Sequence, residues 1–126
     1  MEEITRADHL AIRVILLPKD TNEHGTIFGG VILSYIDLAG GVEARRNTDH
    51  PLVTVALREV IFKQPVYVGD IISFYTSTRR LGRTSITVRI RVEAQRHHNP
   101  LEIAMVTTAE AVFVAIDEQG RPVPLS

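Results

Sequence analysis

Thr84–Arg96 reads T-S-I-T-V-R-I-R-V-E-A-Q-R, and its strict alternation decides the fold. In an extended chain successive side chains point to opposite faces, so Ile86, Val88, Ile90, Val92 and Ala94 share one face. Ser85, Thr87, Arg89, Arg91 and Glu93 share the other. A strand with one apolar and one polar face belongs to a sheet that packs on a single side. Working outward, Leu52–Phe62, Asp70–Arg80 and Glu102–Ile116 are further strand-like runs, each bounded by Gly, Pro, Asn or Asp. The connectors Gln64–Gly69 and Leu81–Arg83 are short, which predicts antiparallel neighbours joined by hairpins or tight turns. Upstream, His9–Leu17 is rich in Ile, Val and Leu and stops at Pro18, which cannot donate to a ladder, so it is a fifth strand.

Between the first strand and the rest, Ile27–Arg46 supports a helix of several turns. It ends in Arg45-Arg46-Asn47, where positive charge suits the C-terminal end of the dipole. On a helical wheel Gly30, Leu33, Ser34, Asp37, Gly41 and Ala44 fall in one sector, predicted to face the sheet. The order strand, helix, four strands predicts an α+β fold: an antiparallel five-stranded curved sheet whose apolar face wraps one long central helix.

The chain has 126 residues, 44% of them hydrophobic, which suits one domain over 1–126. Lys and Arg number 14 against 15 Asp and Glu, so there is no bulk positive field to collect nucleic acid or an anionic membrane. Without cysteine, disulfides, thiolate metal sites and a Cys nucleophile are excluded. The opening M-E-E-I-T-R-A-D-H-L is acidic and polar where an export signal is basic and then apolar, so the expected location is cytoplasmic.

Three motifs stand in order: D-T-N-x-x-G-x-x-F-G-G (Asp20 to Gly30), L-x-x-I-D (Leu33 to Asp37) and F-x-x-P-V-x-V-G-D (Phe62 to Asp70). Together they resemble the acyl-CoA hydrolase branch of the hotdog-fold thioesterases, over nearly the whole chain. The resemblance implies a hotdog fold that hydrolyses acyl-CoA to free CoA and carboxylic acid, a reaction of fatty acid metabolism. It implies two chains with their sheets side by side, two equivalent sites at the dimer interface, and hexamers built as trimers of dimers.

Thioester hydrolysis needs a water or carboxylate aimed at the carbonyl carbon and donors aimed at the oxygen that becomes negative. Asp37, read as an acid on the sheet-facing sector and so partly desolvated, fits the first need; on spacing alone a structural acid fits as well. The resemblance gives Asp37 the catalytic role, as general base or nucleophile, and sets Asn22 of the partner opposite it. By itself Asn22 is a turn residue. Phe28-Gly29-Gly30 opens the helix, where free N–H groups suit an oxyanion, and steric room for packing is an equal reading. The turn Gly82, Arg83, Thr84 and Ser85 resembles the family's holder of the CoA pyrophosphate, and a solvated hairpin tip would look similar. Thr54 and Arg58, at one parity on their strand, are expected to line one face of the cleft, unless Arg58 pairs with Glu59 or Glu93. His97 and His98 are adjacent and point apart, so no metal is assigned, and no cofactor beyond CoA as part of the substrate.

Two other functions compete. A hotdog 3-hydroxyacyl dehydratase or hydratase uses a loop His and a helix acid, which would be His24 and Asp37, although the proline-rich surroundings of a dehydratase His are missing. A non-catalytic acyl-CoA-binding regulatory module would keep the fold without turnover.

Overall fold

The computed structural model describes residues 8–126 and, by backbone alone, residues 2–3. The strands are β1 (Glu2–Glu3), β2 (His9–Ile15), β3 (Leu52–Arg58), β4 (Ile71–Leu81), β5 (Ser85–Gln95) and β6 (Ile103–Ala115), with helix α1 (Gly29–Ala44) between β2 and β3. They form one antiparallel sheet in the order β1-β4-β5-β6-β3, and β2 also pairs with β4. The five expected strands are present, and the two-residue β1 adds to the edge beside β2. Register shifts at Leu10/Ile12, Thr54/Ala56, Thr78/Arg80 and Val92/Glu93 each bend their strand, and together they curve the sheet over α1. Among the described residues no helix is long and apolar enough to cross a membrane.

The alternation of β5 is realised in full: Ile86, Val88, Ile90, Val92 and Ala94 are completely buried against the helix. Phe74 from β4 and Phe113 from β6 join them. A Cβ on Gly40 would sit 3.1 Å from the Phe113 ring, so the missing side chain is what lets α1 lie this close to the sheet.

Four expectations change. First, the sheet-facing stripe of α1 is Ile32, Ile36, Ala39, Gly40, Glu43 and Ala44, so the Gly30–Leu33–Ser34–Asp37–Gly41 sector lies on the flank. Bulky Ile32 and Ile36 gain more from burial than glycines and serine do, and they set the rotation of the helix. Second, α1 begins at Gly29, because the Ile27 and Phe28 N–H groups are already bonded to the Val66 and Asp20 carbonyls. Third, β2 ends at Ile15, and Pro18 opens a 3-10 turn. Fourth, β3 ends at Arg58, where Glu59 takes a left-handed φ of 59°, and β3 pairs with β6 rather than β4. Residues 59–70 are therefore a crossing connection and not a hairpin.

That connection is pinned by the third motif. Arg96, buried, donates to Asp70 and to the Pro65 carbonyl, each at 2.8 Å, and Asp70 also accepts from the Tyr67 and His97 N–H groups. Gly69 sits at φ +92° with the His97 ring where a Cβ would be. The pinned turn then holds the loop before α1 through the Ile27 N–H and Val66 carbonyl bond of 2.8 Å.

Candidate active site

Asp37 is half-buried on the flank of α1, where Thr54 of β3 donates its hydroxyl to Asp37 Oδ1 at 2.6 Å. The pair lies in a cleft of about 880 Å³ bounded by the second half of α1, the turn from Thr48 to Pro51, and β3. Leu38, 59% exposed, and Val42, 47%, are bare beside the acid, and on the edge strand β3 Val53 is 40% and Val55 55% exposed. β3 is also the last strand of the sheet, with one row of backbone groups unpaired. An edge strand flanked by bare aliphatic side chains is a surface suited to pairing with another chain.

The loop carrying Asn22 is knotted on itself. Asn22 Nδ2 donates to Thr26 Oγ1 at 2.8 Å, and Oδ1 accepts from the His24 and Thr26 N–H groups at 2.8 and 3.2 Å. One Nδ2 proton is left over. Asn22 does not line the Asp37 cleft of its own chain. His24 projects into solvent beside Glu23, with Nε2 and Oε1 3.6 Å apart, and does not line that cleft either.

At the start of α1 the Phe28 ring lies over Gly30, where a Cβ would come within 2.7 Å of it, so glycine here does make room. The N–H groups of Gly29 and Gly30 precede the first intrahelical bond and point out of the helix. Beside Gly29 opens a separate hollow of about 290 Å³, walled by Ile27, Ile32, Phe62, Val66 and Val106 with Thr26, Lys63 and Gln64 among its polar lining. Gly29 and Asp37 are eight residues apart on one helix, about 12 Å at 1.5 Å per residue. A thioester carbonyl held at the helix start is thus out of reach of the same chain's Asp37.

Gly82 to Ser85 form the β4–β5 turn, closed by the Gly82 N–H to the Ser85 carbonyl at 2.8 Å, with the Arg83 side chain exposed. The C-terminal segment ties this turn to the cleft. The Leu125 N–H bonds to the Arg83 carbonyl (3.1 Å), while the Leu125 carbonyl accepts from the hydroxyl of Thr48 on the cleft wall (2.6 Å). Arg58 parts from Thr54: the bulge between Thr54 and Ala56 reverses parity, so Thr54 faces α1 with Phe113 while Arg58 stands on the outer face opposite Glu110. Its ion pair, 3.8 Å from Nε to Oε1, is with Glu110 and not Glu59 or Glu93. Among the described residues no three His, Asp or Glu side chains gather as a metal site.

The sequence reading missed Glu43. It is fully buried, accepts from the hydroxyls of Thr78 (2.8 Å) and Thr76 (3.1 Å) and lies 2.9 Å from His9 Nδ1, with Arg46 Nε at 3.5 Å. Burial pushes its carboxyl up, and the bonds from Thr78, His9 and Thr76, with the charge of His9, outweigh that and hold it below the usual glutamate range. Its position seven residues after Ile36, on the apolar stripe, is the signal that could have found it.

The family description "Thioesterase superfamily" matches residues 24–100. The acyl-CoA thioester hydrolase YciA of Salmonella typhimurium is 34% identical over 123 residues, 96% of this chain and 92% of the relative. The hexameric hotdog fold thioesterase Cj0915 of Campylobacter jejuni superposes with a TM-score of 0.86 at 40% identity, covering 93% of this chain and 90% of that one. For the hexameric thioesterase y2039 of Yersinia pestis the values are 0.89, 32%, 97% and 98%. The helix cradled by a curved antiparallel sheet is the hotdog fold.

Proposed function

This chain belongs to the thioesterase superfamily, and from that premise we propose that it hydrolyses acyl-CoA to free CoA and a carboxylic acid, at a site shared by two copies. The observation that carries the reading is the separation of the two halves of the chemistry along α1. The donors for an oxyanion are at Gly29 and Gly30, the carboxylate is at Asp37, and about 12 Å of helix lies between them. Two antiparallel copies joined along β3 would bring the helix start of one to the Asp37 of the other, and bare Val53 and Val55 on that edge support such a join.

In this site the Gly29 and Gly30 N–H groups hold the thioester oxygen, and the spare Nδ2 proton of Asn22 orients water or carbonyl. Asp37, its Oδ1 fixed by Thr54, takes a proton from water as the water oxygen attacks the carbonyl carbon. The tetrahedral intermediate collapses, the C–S bond breaks, and the proton passes to the departing thiolate. Direct attack by Asp37 would instead break the C–S bond, expel the CoA thiolate and form a mixed anhydride, which water then opens to the free acid and the Asp37 carboxylate; the same residues serve both routes. Arg83 at the β4–β5 turn meets the CoA phosphates. Gly82 N–H is already spent on closing that turn, so the side chains of Arg83, Thr84 and Ser85 carry the contact. Hexameric relatives in Campylobacter jejuni and Yersinia pestis support a homohexamer of three dimers here.

Release of free thiol from acyl-CoA by the purified chain tests the proposal. Asp37→Ala should slow it by about 10²–10⁴-fold with circular dichroism and oligomer mass unchanged. Undiminished turnover in that variant refutes the assignment.

A further inference from the structure

We propose that the outer face of the sheet, opposite α1, carries a phosphate-binding site built from Arg79, Arg89 and Ser77. The register sets Ser77 beside Arg89 and Tyr75 beside Arg91, while the bulge between Thr78 and Arg80 turns Arg79 toward the same side. With Asp8 these side chains surround a polar hollow of about 210 Å³.

The charges in this hollow do not cancel. Arg91 is satisfied: it donates to Asp8 at 2.9 and 3.2 Å and to Glu93, and it stacks 4.4 Å over the Tyr75 ring. Arg79 and Arg89 have no carboxylate within ion-pair distance among the described residues. Arg89 also borders a second hollow with Glu59 and Glu110, but neither acid pairs with it, and Glu110 is engaged by Arg58. Ser77 is only 4% exposed, and its side chain has no hydrogen-bond partner among the described residues.

Two guanidinium groups without a carboxylate partner, beside a hydroxyl that opens to the hollow without a hydrogen-bond partner, leave donors unspent. A phosphate engages them, since its oxygens accept from two planar forks and one hydroxyl together. A chain of formal charge -1 has no general positive field to account for this concentration, and Asp8, held by Arg91, closes one side of the hollow. The site lies across the sheet from Asp37, so it stands whether or not the hydrolysis proposal does.

Isothermal titration of the whole chain with inorganic phosphate at low ionic strength tests it. The expected result is saturable binding, weakened at least tenfold in Arg79→Gln and in Arg89→Gln, reduced several-fold in Ser77→Ala, and unchanged in Arg121→Ala at the distant C-terminal turn. Circular dichroism checks that each variant folds. Phosphate displaced by added CoA identifies the phosphates of CoA as the natural ligand, and phosphate that stays bound beside CoA identifies a free phosphate or phosphomonoester; both support the site. No saturable binding, or wild-type affinity in the two arginine variants, overturns it. So does a loss of oligomer mass in the double arginine variant without phosphate binding in the wild type, since carboxylates of another copy would then fill the hollow.

Discussion

Replacing Glu43 with Ala removes the one fully buried carboxylate of α1 and the three bonds that tie the helix to β2 and β4. Hydrogen bonds to a charged acceptor contribute about 1.5–3 kcal/mol each. Against that sum stand the several kcal/mol needed to desolvate the carboxylate and the alternatives left to its partners: Thr78 keeps Asn47 Nδ2 at 3.0 Å, and Thr76 keeps the His9 carbonyl at 3.4 Å. The net loss expected is about 3 kcal/mol, a fall in Tm of roughly 10 °C for a domain of this size. Its pH dependence has a definite sign. The folded carboxyl titrates below the usual glutamate range, so its contribution is whole above that range and disappears as pH falls through the folded value. Thermal melts of wild type and Glu43→Ala at equal protein concentration, at neutral pH and down the acid range, measure both. A Tm within a degree of wild type, or a gap that widens on acidification, refutes the reasoning.

Thr54→Val keeps the size of the side chain and deletes the 2.6 Å bond to Asp37; thiol release should fall about tenfold in kcat, with Thr54→Ser restoring most of it, and steady-state kinetics on one acyl-CoA decide. Arg83→Ala should raise KM for acyl-CoA about tenfold and leave kcat nearly unchanged, an effect that added salt diminishes in the wild type. A lowered kcat at unaltered KM would remove Arg83 from the CoA contact.

The strands were legible because period two is unambiguous where β-branched residues alternate with charges, as in Ser85–Gln95. The face of α1 was not, because Gly30, Ser34 and Gly41 spread small residues around the wheel and blurred the stripe that Ile32 and Ile36 define. The stripe set by Ile32 and Ile36 carries Glu43 into the core and leaves Asp37 half-buried on the flank. Parity arguments fail at bulges, and nothing in L-V-T-V-A-L-R marks Val55 as the extra residue that separates Thr54 from Arg58. The connection after β3 was misread for a related reason: chain proximity favoured β4, but the pairing goes to β6. The motifs located Asp37 and Asn22, their resemblance set the two on different chains, and inside one chain Asn22 indeed stays away from the Asp37 cleft.

That last point sets the most direct measurement, thiol release by mixed subunits. Asp37→Ala and Asn22→Ala chains, each inactive alone, are unfolded together in equal amounts and refolded. If acid and amide come from different chains, half the dimers are mixed and each holds one intact site, so about a quarter of wild-type activity should return. No recovery above the two separate variants would contradict a site shared between copies.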